Sequence, residues 1–291
     1  MELSRIWISI LTKGDEDAGT NEGITLKIST QNTTRIDRYI PYSNDTNRTG
    51  PGFEDQPYLD RKEANLYHIP VRGTNIVPED LFSDDAEVLL GIKGDNAWAP
   101  QHIFLWGETA HTRQVFPLVI ETDIEPWLST DSSEGPEFLQ LRTIQKGDAA
   151  MTINRLLLVT LTEGTSRDDS IWTDPNPYFG TDDPVHIEIS RQGETVVSYE
   201  IADSPQTDFD SGFANMYFFP AKAPFSKAEL DSESIVLTLG GQDEWVPRKL
   251  FLFGLNTAEG RANAIVPLVY LDYWPFGAMR TEGEAESVSK N

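Results

Sequence analysis

Apolar and polar residues alternate with a period of two at Ile24, Leu26 and Ile28, and again at Val185, Ile187 and Ile189. That spacing puts one face of an extended segment in a core and the other in solvent, as a half-buried strand requires. Short apolar runs at Ile6–Leu11, Val88–Ile92, Ile103–Trp106, Leu156–Leu161, Ile235–Leu239 and Leu250–Phe253 are bounded by Gly, Asp, Asn or Pro. A helical period sustained over ten or more residues is hard to find in the chain. Many short strands separated by turn residues predict an all-β protein, with an antiparallel β-sandwich in each half.

The halves are copies of one pattern. Ala64-Asn65-Leu66-Tyr67-His68-Ile69-Pro70 returns 150 residues later as Ala214-Asn215-Met216-Tyr217-Phe218-Phe219-Pro220. Trp98-Ala99-Pro100-Gln101-His102-Ile103-Phe104-Leu105-Trp106-Gly107 returns as Trp245-Val246-Pro247-Arg248-Lys249-Leu250-Phe251-Leu252-Phe253-Gly254. Gly19-Thr20-Asn21 leads into the first alternating strand, and Gly180-Thr181-Asp182 into its counterpart. Pro117-Leu118-Val119 matches Pro267-Leu268-Val269, and Trp127 is matched with Trp274. A repeat in constant order predicts two homologous domains, at residues 1–138 and 152–282. Between them lies a linker, 139–151, which Leu139, Leu141 and Ile144 make less polar than a free one. The acidic tail 283–291 is expected to fray. Two insertions without a partner in the other copy, Tyr42–Asp60 and Thr165–Phe179, are expected to be loops.

Charge narrows the function. The 291 residues include 23 Lys and Arg against 47 Asp and Glu, a formal net charge of −24. Such a chain lacks the basic surface that tracks nucleic-acid phosphates, so nucleic acid is not an expected partner. An anionic membrane repels it unless a cation bridges the two. No run approaches the ~20 apolar residues of a membrane span, and no charged leader with an apolar stretch follows Met1. The compartment stays open: cytoplasmic, peripheral on a membrane, or exported by a non-classical route. The absence of Cys excludes disulfides, thiolate metal sites and a Cys nucleophile. There is no Gly-x-Ser-x-Gly turn, phosphate-cradling glycine loop or His-Glu-x-x-His pair, and His68, His102, His111 and His186 are scattered. The expectation is a protein that is not an enzyme.

Candidate chemistry sits in loops. Asp15-Glu16-Asp17-Ala18-Gly19-Thr20-Asn21-Glu22-Gly23 packs oxygen donors around two glycines, and Lys93-Gly94-Asp95-Asn96-Ala97 forms a second acidic loop. Calcium takes about 6–8 oxygens from carboxylates, amides and carbonyls, so such loops suit it. The spacing is not that of a helix–loop–helix calcium motif.

Three segments in order are similar to the PLAT/LH2 domain family. They are Asp17-Ala18-Gly19-Thr20-Asn21 after a strand, Asn96-Ala97-Trp98-Ala99-Pro100-Gln101-His102-Ile103, and Pro126-Trp127-Leu128-Ser129. The pattern most resembles the lipid-facing C-terminal domain of clostridial phospholipase alpha-toxins. The resemblance implies two tandem sandwiches of about eight strands, binding membranes or protein partners, often with calcium at one tip. Carried over, it implies an ion between the Asp17 carboxylate, the Gly19 carbonyl, the Asn96 side-chain oxygen and the Ala97 carbonyl. Asp15, Asn21, Glu22 and Asp95 stand close enough in sequence to complete the coordination. Asn96 replaces an acid of the pattern, which removes one charge. In the second copy Tyr178 and Phe179 replace Asp17 and Ala18, leaving Asp182, Asp183, Asp243 and Glu244 as a weaker donor set that Asp174 would supplement. Trp98, Trp245, Trp127 and Trp274 occur in both copies and are assigned to packing. Trp172, Tyr178 and Phe179 lie in the unpaired loop and are candidate membrane or partner contacts. The expected function is calcium-assisted association with membrane lipid through the tip loops. The alternatives are a protein-docking adaptor, or a carbohydrate-binding module or hydrolase built on the same sandwich.

Overall fold

A computed structural model describes residues 1–20, 22–31, 33–40, 59, 62, 64–71, 73–162, 180–201, 209, 214–241, 243–258, 261–275, 278–280 and 286–287. Both insertions fall almost wholly outside these residues. The chain divides into two compact units, Met1–Lys146 and Gly147–Asn291.

The first unit contains β1 (Leu3–Thr12), β2 (Gly23–Thr30), β3 (Thr33–Ile40), β4 (Ala64–Pro70), β5 (Glu87–Lys93), β6 (Pro100–Thr109), β7 (Val115–Glu121), β8 (Phe138–Leu141) and the short β9 (Gln145–Lys146). Eight of them make two antiparallel four-stranded sheets, in the orders β7-β6-β1-β4 and β3-β2-β5-β8. Ile6, Ile8 and Ile10 of β1 meet Ile24, Leu26 and Ile28 of β2 in one core with Val88, Leu90, Ile92, Ile103 and Leu105. Each such side chain contributes about 1.5–3 kcal/mol by leaving water. The period of two in the sequence therefore marks the inward faces of both sheets.

The second unit contains β10 (Ile153–Thr162), β11 (Val185–Arg191), β12 (Glu194–Ile201), β13 (Ala214–Phe225), β14 (Ile235–Leu239), β15 (Glu244–Trp245), β16 (Pro247–Ala258), β17 (Arg261–Leu271), β18 (Met279–Arg280) and β19 (Glu286–Ser287). Its two four-stranded sheets run β13-β10-β16-β17 and β12-β11-β14-β19, the same topology as the first, and β15 pairs separately with β18. Leu156, Leu158, Val185, Ile187, Ile189, Leu250 and Leu252 fill its core. Helical structure among the described residues is confined to two 3-10 turns, Pro78–Phe82 and Lys227–Glu229. No helix among them is long and apolar enough to cross a membrane.

One polar contact repeats in both cores. The buried indole N–H of Trp98 donates to Thr12 Oγ1 at 3.1 Å, and that of Trp245 donates to Thr162 Oγ1 at 3.1 Å. A buried indole needs such a partner, which ties the segment entering β6 or β16 to the end of the first strand of its unit.

Three sequence expectations need correction. Residues 138–141, assigned largely to a linker, form β8, because Leu141 is buried and Leu139 packs on the core. The tail does not wholly fray: Glu286 and Ser287 pair with Leu237 and Val236, as Leu139 and Gln140 pair with Leu90 and Leu89. Each unit thus completes its second sheet with the segment that follows its last long strand. Finally, Trp274 is not the counterpart of Trp127. Trp274 N–H donates to Arg248 O at 3.0 Å, as Ile124 N–H donates to Gln101 O at 3.1 Å, so Trp274 occupies the place of Ile124.

At the other end of the first unit, the Glu108 carboxylate is 2% exposed and pairs with Arg5 at 3.0 Å and Arg113 at 3.2 Å. Both arginines reach solvent, which moderates the loss when the pair is broken. Glu108→Ala is expected to destabilise the protein by about 2 kcal/mol in urea unfolding, and Arg113→Ala by well under 1 kcal/mol.

Candidate functional site

The tip of the first unit is built from three loops at one end of its sandwich. The loop after β1 is fixed at both sides: Lys13 N–H donates to Ala99 O at 2.9 Å, and Ala99 N–H to Ala18 O at 3.0 Å. Inside it, Ala18 N–H donates to Asp15 O at 3.2 Å, and Asp17 adopts a left-handed conformation with φ +65°. Asp tolerates this region better than most residues. The loop between β5 and β6 turns at Gly94, with φ +123°, where a Cβ would run into the Glu22 side chain. Gly94→Ala is therefore expected to displace the loop and lower stability by about 1–3 kcal/mol, measurable as an earlier thermal transition.

The third loop follows β7. Trp98 and Leu128 exchange backbone hydrogen bonds of 2.9 and 2.7 Å, and the Thr130 hydroxyl donates to Gly94 O at 2.6 Å. Ser129 Oγ donates to Glu134 Oε2 at 2.9 Å and holds that carboxylate at the tip. In the same loop, Asp131 accepts from the amide and hydroxyl of Ser133, which hold its carboxyl below the usual carboxylate range.

Together the loops border an open surface cavity of about 660 Å³ lined by Asp17, Gly19, Asp95, Asn96, Ala97, Trp127 and Glu134. Five of the residues singled out in the sequence therefore meet, although nearly eighty positions separate Asp17 from Asn96. The other three are placed differently. Asp15 is exposed and contributes its carbonyl to the turn, Glu22 packs against Gly94, and Asn21 lies outside the described residues. Trp127 and Glu134 are additions. The match with Trp274 predicts a packing role for Trp127, but Trp127 is only half-buried and walls the cavity. Glu134 is not among the residues singled out in the sequence. Its sequence signal was its place seven residues after Trp127, on the same loop.

In donor type the lining suits a hard cation: three carboxylates, one amide and backbone carbonyls, with no sulfur or imidazole. It is not a preassembled carboxylate cage. Among the described residues no three His, Asp or Glu side chains are gathered closely enough to hold a metal ion. A cation here would depend on carbonyl, amide and water oxygens beside one or two carboxylates.

No protein-family model matches the chain, and no curated protein sequence does either. Among solved structures it is similar to the alpha toxin from Clostridium absonum, with 19% identity and a TM-score of 0.33. The match covers 48% of this chain and about a third of the toxin, 32%. A likeness at that level supports no functional statement.

The second unit's tip has diverged. Asp183 N–H donates to Thr181 Oγ1 at 2.9 Å, as Glu22 N–H donates to Thr20 Oγ1 at 3.1 Å, which places Asp183 where Glu22 stands. Asp243 N–H donates to Asp183 Oδ2 at 2.6 Å, and Gly241 turns with φ +75° against the same carboxylate. One of the four candidate acids is thus engaged in closing the loop. Asp182 is exposed, and Glu244 lies in β15, opposite Arg280. Trp172, Asp174, Tyr178 and Phe179 lie outside the described residues.

Proposed function

We propose that the chain is a non-enzymatic binding protein whose first unit takes calcium at its tip and, through the ion, the anionic head group of a membrane lipid. The cavity of about 660 Å³ carries this reading, because it gathers Asp17, Asp95, Asn96 and Glu134 from three loops beside the indole of Trp127. That volume falls in the range of small-molecule sites and greatly exceeds one cation, leaving room for a head group to complete the coordination. The ion also answers the charge problem. A protein of net charge −24 approaches an anionic surface only where its carboxylates are neutralised. The second unit keeps the sandwich but uses Asp183 internally, so the reading assigns it no ion.

The test is sedimentation with phospholipid vesicles in calcium and in chelator. The expected result is pelleting in calcium that chelator reverses. Equal recovery in the two conditions would remove the ion from the reading. Calcium- and lipid-independent capture of a protein partner would favour the docking-adaptor alternative instead.

A further inference from the structure

The rim of this tip carries a second feature that the cavity does not use. Tyr39, near the end of edge strand β3, is 44% exposed. Its ring lies across Gly23, where any Cβ would collide with it. Over the ring sits the Lys93 ammonium, 4.8 Å from the centroid. Gly23 and Lys93 are paired across β2 and β5, and Thr25 is paired with Tyr39 across β2 and β3. The pair therefore stands at the tip end of the outer face of this sheet. Lys93 directly precedes the loop Gly94–Ala97 that lines the cavity.

The fold does not require this arrangement. In the second unit the strand registers put Glu200 at the place of Tyr39 and Gly240 at the place of Lys93. The equivalent sheet forms with an acid and no side chain at those two positions. Among the described residues, an exposed ammonium held by an aromatic ring stands at the first tip and not at the second, in a chain with about twice as many acids as bases. Tyr suits a membrane interface because its ring is apolar and its hydroxyl is polar, and Lys supplies a cation on a long stem.

We propose that Tyr39 and Lys93 form a lateral contact that makes the first unit's tip prefer anionic phospholipid. The proposal rests on the calcium reading above. The ion neutralises the cavity's carboxylates, Lys93 meets a neighbouring anionic head group, and the Tyr39 ring settles at the interface beside it. The second unit, with Glu200 and Gly240, makes no such contact.

Vesicles of phosphatidylcholine alone, and of phosphatidylcholine mixed with phosphatidylserine, separate the parts in calcium and in chelator. Wild type is expected to partition more strongly onto the serine-containing vesicles in calcium. A surface lysine near an anionic bilayer corresponds to about a fivefold change in partitioning. Lys93→Gln should lose about that factor on serine-containing vesicles and nothing on phosphatidylcholine, while Lys93→Arg retains the preference. Tyr39→Ser should weaken binding to both compositions, and Glu200→Gln should change neither. Calcium-dependent binding by wild type with no loss in Lys93→Gln would overturn the lateral contact and leave the calcium reading standing. Serine-dependent binding that survives chelator but is lost in Lys93→Gln would overturn the calcium reading and keep the contact. Absence of wild-type binding to either composition would overturn both.

Discussion

Titration of the protein with calcium during thermal unfolding is expected to raise the transition of the first unit, and Asp17→Asn to abolish the rise. A ligand that binds only the folded state at a hundred times its dissociation constant adds about 2.7 kcal/mol. For a chain segment of this size that is a shift of roughly 5–10 °C. Asn is the informative replacement because Asp17 has φ +65°, a region that Asn tolerates and Ala does not. The variant therefore removes a charge without adding backbone strain. Asp95→Asn and Glu134→Gln, which line the same cavity from the other two loops, should reduce the shift by smaller amounts. Asp183→Asn should leave the calcium response intact while lowering basal stability, since that carboxylate accepts the Asp243 amide. No shift in wild type at millimolar calcium would exclude the ion.

How much of this was legible in the sequence depended on the range of the interaction concerned. Strand alternation is a local property, so Ile24, Leu26, Ile28 and their counterparts marked the inward faces without any knowledge of the partner strands. The repeat carried the topology, because matching runs in constant order imply matching sheets. Cavity members were recoverable where the family-like motifs named them, as with Asp17 and Asn96. Trp127 was misassigned for a specific reason. The offset between the copies rises from 147 residues (Trp106 to Phe253) to 150 (Pro117 to Pro267), because the paired arms of the β16–β17 hairpin run further past these positions than those of β6–β7, although the turn itself is shorter. An offset of 147 carried past that point aligns Trp127 with Trp274, three residues out of register. The backbone bonds of Ile124 and Trp274 reveal the slip, as does the pairing of Trp98 with Leu128 and of Trp245 with Met279. The eighth strands escaped detection because Phe138–Leu141 is short and Glu286–Ser287 has no apolar signature at all. Pairing in a sheet is decided by the neighbouring strand, and that information is not local.

Removing Trp98 should be among the costliest single changes in the first unit, and removing Trp245 should match it in the second. Both side chains are fully buried in their cores and both donate to a threonine at 3.1 Å. Truncating a buried aromatic to Ala costs about 3–5 kcal/mol through lost transfer energy and the cavity left behind. Trp98→Ala should therefore lower the unfolding midpoint in urea. It should also abolish any calcium response, because residues 98 and 128 pair through their backbones and hold the Trp127 loop against the Gly94–Ala97 loop. Trp245→Ala should destabilise the second unit comparably and leave that response in place. The hydrogen bond is the smaller part of the effect. Trp98→Phe keeps most of the packing but leaves Thr12 Oγ1 without the indole donor, which is expected to cost about 1–3 kcal/mol. Pairing it with Thr12→Val removes both polar groups and should recover part of that loss. If the double variant were no more stable than Trp98→Phe, the threonine would have no unmet polar requirement, and packing alone would account for the recurrence of this tryptophan in both units.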